Sequence, residues 1–597
     1  MIDPRLYRAA FLPALLALIV VAFSLEDRPA ALPQALAADV LFQGRAAAAS
    51  AEQIASDRPD RRPGTLGDRS VARRVAHSFS RSGFTTVVDP FSGDDGQRLL
   101  NVIGRRAGAT RRQIVVVAAR DAGSVPDATT SAADTAALMR VGRALQGTPS
   151  RKTIVLASVD GSTLGELGIH RLLAKLPDRD LVEAVLVVSN LAAPGPRTPP
   201  LIAWSNGAQR AGVALERTAA ASEGQEFGRV PAGSGIAAQL IRLAFPLGVG
   251  GQGPLLEGGA DAVRFSASGE LPPRKGARGS SSIDVHRLGP LGRAVLRTVF
   301  AIDQSGRRIE RSPRSYLTVA HKLVPGWSLA LLGMSLILPA LVASIDGFAR
   351  ARRRRQPVGR FGRWLVASSL APVVGLVLAK LSVVVGIVPD PPRSPVAPEL
   401  RPVHAGDVAL LGVLGGVVVL AWILAQWLTR RERRGRLDVA EPGAGAVLAL
   451  ALSLLTFAIW FVNPYAALVL LPALHLWLIA SIGRLPDRAP GLVFLVAAPL
   501  LPLAAVALFY MARLSLNPVE GLWYLFLLVT SGDIGIFTSL FACVFLALLA
   551  CLVSTLVARA RKPPPVVPEE PKRPTVFGPG GYAGPGALGG TESALRR

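Results

Sequence analysis

At 597 residues, half of them hydrophobic, with a mean hydropathy of +0.40, the chain is too long for one small domain and too apolar for an ordinary soluble protein. A formal charge of +25 would suggest nucleic acid in a soluble chain. Here many arginines flank apolar segments, and no zinc-finger spacing or aromatic-interleaved basic patch occurs, so membrane topology accounts for much of the excess and no nucleic-acid partner is expected.

The chain opens on MIDPRLYR followed by AAFLPALLALIVVAFSLED, a basic flank before an apolar run of anchor or signal-peptide length. Ala35-Leu36-Ala37 could pass for a cleavage site but lies far beyond that run, so residues 1–25 are expected to stay as an anchor and residues 26–316 to be exported. VLFQG at Val40–Gly44 resembles a protease-site linker, yet it runs on into FQGRAAAAS and reads as native. Within this body the apolar spacing predicts helices over Val71–Arg81, Ala132–Leu145 and Leu288–Asp303. Strands are predicted at Leu100–Ile103, Ile114–Val117, Thr153–Leu156 and Val185–Val188, with loops at Ala193–Pro200 and Pro272–Gly279.

The strand–helix–strand unit from Gln113 to His170 organises the body. It predicts an α/β domain with a mixed, mostly parallel sheet, helices on both faces, and chemistry at the carboxyl ends of the strands, Ala118–Val125 and Ser158–Thr163. Ser131-x-x-Asp134 and Thr163-x-x-Glu166 read as capping boxes, Asp160 as a turn former before Gly161, and His170 as a satisfied helix residue.

From His321 the character changes. Apolar segments at Val324–Ile345, Trp364–Val388, Val408–Leu428, Ala446–Val462, Tyr465–Ile482, Leu492–Met511 and Ile534–Val557 are each close to the roughly 20 residues that cross a bilayer, giving about seven spans within 317–561 and about eight with the anchor. Gly521–Thr530 is too short to cross and is expected to be interfacial or re-entrant, with Trp523 and Tyr524 at headgroup level. The only cysteines, Cys543 and Cys551, lie in the last span, so the body has no disulfide and no thiol nucleophile. Lys380 and His475 are polar residues inside spans and therefore candidates for function, the plainer readings being a snorkelling lysine and a neutral histidine hydrogen-bonded between helices. With the N-terminus inside, ARARRRRQPVGRFGR, TRRERRGR, GRLPDR and the tail beginning ARARK all fall on the cytoplasmic side. This predicts a multi-pass protein of the plasma (inner) membrane with both termini cytoplasmic and a disordered tail at 562–597.

The order of strand, polar loop, helix, strand and Asp-Gly-x-x-Leu-Gly, with FQGRAAAAS, LLNVIGR and GGADAVRFSAS around it, resembles the co-catalytic two-zinc aminopeptidases, family 28 of the metallopeptidases, over about Phe42 to Phe300. The resemblance implies a zinc-exopeptidase fold with its metal ligands lost. The first histidine slot falls on Ala119 or Arg120, with Asp121 keeping the Asp of His-x-Asp. The bridging aspartate slot falls near Thr130, the Glu-Glu pair on Ser162 and Thr163, and the next aspartate near Ala192, while the last histidine has no counterpart before His286. No metal or other cofactor is then expected. A rearranged site using Asp121, Asp127, Asp160 and His170 is the alternative within this reading.

The architecture of one anchor, a degenerate aminopeptidase-like body and about seven further spans is also similar to the attachment subunit of the eukaryotic GPI transamidase. The Ala-, Arg- and Leu-rich composition suggests a high-GC bacterium. The expected function is thus a membrane pseudo-peptidase, a binding or scaffold module whose partners are the lipid bilayer, other membrane subunits and a peptide or lipid-linked ligand. An active membrane-tethered metallo-aminopeptidase with displaced ligands, and a transporter or lipid-handling protein with the body as a lid, are the alternatives.

Overall fold

The computed structural model describes residues 4–33, 42–94, 96–176, 179–306, 308–309, 313–430, 437–482 and 489–561. The expected tail at 562–597, the Ala35-Leu36-Ala37 segment, Val40 and Leu41 of VLFQG, and the basic loops at 431–436 and 483–488 lie outside the described residues.

Two sheets occur among the described residues. The strands, in chain order, are β1 (Glu26–Asp27), β2 (Thr85–Ser92), β3 (Arg98–Arg106), β4 (Thr110–Ala119), β5 (Lys152–Val159), β6 (Val182–Ser189), β7 (Ala262–Ser266), β8 (Tyr316–Val319) and β9 (Lys322–Pro325). The large sheet runs β2-β3-β5-β4-β6-β7, antiparallel across β2, β3 and β5 and parallel from β5 through β7. The mixed α/β class is as the sequence predicts; β2 and β7 extend the four expected strands. The parallel strands read as unbroken apolar runs because both their faces are buried under helices, as in Ile114–Ala118 and Ala184–Val188. The helix Leu66–Arg81 starts where Thr65 accepts from the Asp68 N–H at 3.3 Å, and Ala133–Ala144 and Val285–Gln304 match the other two expected helices.

The small antiparallel sheet β1-β9-β8 pairs Glu26 with Leu323 and Tyr316 with Pro325. It therefore joins the segment leaving the first apolar helix to the one leading into the next, so the body leaves its two chain connections side by side.

Among the described residues eight helices are long and apolar enough to cross a membrane: Arg5–Phe23, Gly326–Arg353, Val358–Val384, Ala405–Thr429, Pro442–Val462, Pro464–Ser481, Val493–Arg513 and Ile536–Ala560. The chain is a multi-pass membrane protein. The short helix Pro518–Ser531 buries Trp523 and Tyr524 against protein. Trp523 stacks on Phe526, and the Tyr524 hydroxyl donates to the Val396 carbonyl at 2.8 Å.

Candidate functional site

A cavity of about 140 Å³ opens at the carboxyl ends of β4, β5, β6 and β7, where a parallel sheet leaves a crevice between diverging connections. Ala119 and Asp121 line it and Arg120 does not, because successive side chains on an extended strand end point to opposite sides. The alternation places Ala119 in the first histidine slot. Thr130, Ser162 and Thr163 also line the cavity, so these expected positions are brought together.

Arg120, Asp160 and Ala192 are corrections. Arg120 is buried behind the sheet ends, where Nε and Nη2 donate to the two Asp68 carboxylate oxygens at 2.8 and 2.7 Å and Nη2 also donates to the Leu100 carbonyl at 2.9 Å. Asp160 stands 3.6 Å from the same guanidinium and accepts from the N–H groups of Gly161 (2.8 Å) and Leu100 (3.2 Å). It does form the expected turn, with Gly161 at φ +73°. Burial, followed by the Asp68 and Asp121 carboxylates, pushes Asp160 up to about 8 against the pull of Arg120. Ala192 is fully buried, and its carbonyl accepts from the Asp284 N–H. Asn190, two residues earlier and at φ +56°, takes the cavity position instead.

The acids that do face the cavity are mostly occupied. Asp121 accepts from the N–H groups of Ser162 (3.0 Å) and Thr163 (3.1 Å) and from Thr163 Oγ1 (3.1 Å). Asp127 is held by buried Arg61 at 3.1 Å and by Ser131 Oγ at 2.5 Å. Asp134 accepts from the N–H groups of Asn190 (2.7 Å) and Leu191 (2.9 Å), fixing the turn after β6, and burial pushes it up to about 7. Ser131-x-x-Asp134 is therefore not a capping box: both side chains bond outside their own helix.

Glu166 differs from the others. It opens the helix Leu167–Lys175 in the left-handed conformation at φ +60° without a side-chain cap, which removes the second expected capping box. Its carboxyl is buried in the cavity wall and, among the described residues, hydrogen-bonds to none. Burial first, then the Asp121 charge, push it up to about 8 against the pull of Arg264. Nothing in the local sequence singled out this acid, since its importance comes from what surrounds it.

These residues do not fit a two-zinc centre. Zinc needs three or four converging ligands, and here the expected positions hold Ala119, Thr130, Ser162 and Thr163, while Asp121 and Asp134 serve main-chain N–H groups, Asp127, Glu270 and Glu399 pair with Arg61, Arg242 and Arg278, and Glu166 stands alone. Among the described residues no three His, Cys, Asp or Glu side chains are placed to hold a metal ion. The rearranged set does not converge either. Asp160 lies behind the strands, and His170 Nε2 bonds Ser394 Oγ at 2.9 Å. His286 is exposed on the helix Val285–Gln304.

The roof of the cavity comes from the membrane domain, which sequence reasoning missed. Pro395, Val396, Ala397, Glu399 and Leu400, between the spans Val358–Val384 and Ala405–Thr429, lie over the opening. Arg278 links roof to wall, ion-paired with Glu399 and donating to Ser124 Oγ at 2.7 Å. The proline-rich PDPPRSPVAPELRPVH is the one signal that this loop has a fixed shape.

No protein-family model matches the chain, and no curated protein does. Among solved structures, the chain is similar over 45% of its length to a zinc aminopeptidase from Bacillus subtilis, at 13% identity over 96% of that chain and a TM-score of 0.38. It is similar over 47% to an Acidobacteriales bacterium glutaminyl cyclase, at 17% identity over 100% of that chain and a TM-score of 0.37. A third similarity, over 46%, is to an aminopeptidase from Aneurinibacillus sp. strain AM-1, at 10% identity over 98% of that chain and a TM-score of 0.36.

The intramembrane polar pair sits away from the cavity. Lys380 Nζ donates to the Thr530 carbonyl at 3.0 Å, at the end of the short helix Pro518–Ser531. His475 bridges three helices, with Nδ1 2.8 Å from the Tyr7 hydroxyl and Nε2 3.0 Å from the Leu336 carbonyl. If Nε2–H donates to that carbonyl, Nδ1 accepts from Tyr7, and the ring is satisfied as a neutral imidazole.

Proposed function

We propose that the α/β body is a non-catalytic binding module, a two-zinc aminopeptidase shape that keeps the substrate crevice and has lost the groups that grip metal. The observation that carries this reading is the lining of the cavity. Ala119, Thr130, Ser162, Thr163 and Asn190 occupy the slots where the resemblance calls for ligands and base, and Asp121 and Asp134 hold main-chain N–H groups. A crevice whose one free carboxyl, Glu166, is buried in its wall retains the means to bind without the means to activate water.

The wider reading goes with it. The body, residues 26–316, stands outside the inner membrane between an anchor at 1–25 and the spans of 317–561, with both termini and the tail at 562–597 in the cytoplasm. The basic clusters on one side of the spans support this topology. The likeness in architecture to the GPI-transamidase attachment subunit supports work as one subunit of a membrane complex, holding a peptide or lipid-linked ligand.

Elemental analysis of the full-length protein purified in detergent, with an aminopeptidase assay and an affinity pull-down on the same sample, tests the reading. No stoichiometric zinc, no hydrolysis and a co-purifying membrane protein are expected. Bound zinc together with chelator-sensitive aminopeptidase activity would overturn it. The Ser162→Glu variant should also be inactive, because one restored carboxylate leaves the other ligand slots empty; turnover from that single change counts against the proposal.

A further inference from the structure

The loop roofing the cavity belongs to the membrane domain, and its construction differs from a plain connection. Residues 386–404 carry Pro389, Pro391, Pro392, Pro395, Pro398 and Pro402, whose fixed φ angles make the segment stiff. At its start, just past the helix Val358–Val384, Gly386 adopts φ +80° with nothing within 4 Å of where a Cβ would stand. The Ile387 and Val388 N–H groups donate to the Ser382 carbonyl at 2.9 and 3.1 Å, so this glycine caps the helix and the stiff segment beyond it moves as one piece.

Its attachments fall into two sets. To the α/β body it is held by side chains at the rim: Ser394 to His170 (2.9 Å), Arg393 to Asp94, and Glu399 to Arg278. None of these is a strand ladder, and the Arg393 pair is exposed, where an ion pair holds little. The fit is nonetheless close. A Cβ on Gly165, at φ +85°, would stand 2.6 Å from the Arg393 nitrogen, so only glycine lets the loop approach there. To the membrane domain it is held through the short helix Pro518–Ser531. Tyr524 donates to the Val396 carbonyl at 2.8 Å and packs in one cluster with Ala397, Leu528 and Val249 of the body, while Val388 packs with Trp523, Phe526 and Leu527.

We propose that residues 386–404 are a lid that opens to admit ligand to the cavity, and that the helix Pro518–Ser531 sets its position, coupling occupancy of the cavity to the membrane domain. The two attachment sets make the lid a two-state element that both domains bias, which is what such coupling requires. The proposal holds whether the cavity binds or hydrolyses what enters, so it stands or falls apart from the reading above.

Thiol accessibility tests it in the full-length protein in detergent. With Cys543→Ala and Cys551→Ala removing the native thiols, Ala119→Cys places one thiol on the cavity floor, and a charged methanethiosulfonate reagent reports access to it. Labelling is slow with the lid intact. It accelerates by about tenfold or more when residues 392–400 are replaced by a Gly-Ser linker of equal length, or in the milder double variant Arg393→Ala with Glu399→Gln, as losing one or two charge-assisted hydrogen bonds implies. Tyr524→Phe, which removes the hydrogen bond from Pro518–Ser531 to the lid and leaves the packing of the ring in place, also accelerates it. A thiol at Ala47→Cys, buried on the helix Gly44–Asp57, stays unlabelled in every background and verifies the fold. Fast labelling with the lid intact, or a rate unmoved by both lid variants, overturns the lid; a rate unmoved by Tyr524→Phe overturns the coupling.

Discussion

Behind the ends of β4 and β5, Arg120 meets Asp68 and Asp160 in a sealed cluster where each guanidinium nitrogen has an acceptor. In front, one residue further along the same strand end, Asp121 turns into a crevice that also holds Asp134 and Glu166. Both groups are removed from water, yet they solve that problem differently. The rear cluster compensates desolvation with geometry, a bidentate pair and main-chain partners, so it holds the strand ends together and has no capacity left for a ligand. The front group leaves Glu166 without a partner and pushes it up to about 8, which keeps a buried carboxyl neutral. Burial of charge alone does not separate structure from function here; the accounting of partners does.

The largest expected effect tests the rear cluster. Arg120→Met leaves two buried carboxylates facing one another, and breaking such a group from one side should cost roughly 3–5 kcal/mol. Pulse proteolysis of the body within the full-length protein measures it. A loss below about 1 kcal/mol would show that the cluster is hydrated and does not have the structural role assigned to it.

The second effect tests the front. An acid whose folded value lies near 8 and whose ordinary value is 4.5 favours the fold in its neutral form. That contribution is complete below about pH 4.5 and is lost as pH rises through about 8. Asp134, raised to about 7, and Asp160, raised to about 8, act in the same direction. Stability of the body should therefore fall with rising pH across this window, by up to about 1.4 kcal/mol per pH unit for each group. Glu166→Gln should remove one such slope and raise stability at pH 8 relative to the parent. A profile identical to the parent's would place Glu166 in contact with water and outside the crevice.

How much of this was legible in the sequence follows from the range of each interaction. The central strands and flanking helices were, because Ile114–Val117 and Val185–Val188 announce two-sided burial within a few residues. The candidate positions were legible only through a resemblance, and it took the strand end to show that Ala119 lines the cavity and Arg120 does not. Asp134 and Glu166 were misread as caps because spacing along a helix is a local signal. Their actual neighbours, Asn190 and Leu191 for one and Asp121 and Arg264 for the other, are supplied by other strands. The roof was illegible, since only the packing of Pro518–Ser531 against residues 388–397 brings a membrane loop over the sheet.

The smallest expected effect falls on Asp121, which belongs to both sides of the comparison: it lines the crevice, yet its oxygens are taken up by Ser162 and Thr163. Asp121→Asn keeps one acceptor and the shape, so the fold should lose only about 1 kcal/mol. Its more telling consequence is electrostatic. The Asp121 charge helps to raise Glu166, and removing it should draw the alkaline loss of stability toward lower pH and make it shallower, because burial raises Asp121 too and its own contribution goes with it. Combined with Glu166→Gln, the same substitution should produce only the smaller displacement that Asp160 reports, because the Asp121 charge raises that acid as well. A midpoint that stays put in the single variant would mean that Asp121 is itself neutral in the fold, held so by the burial that raises it, and that the two acids of the crevice titrate independently.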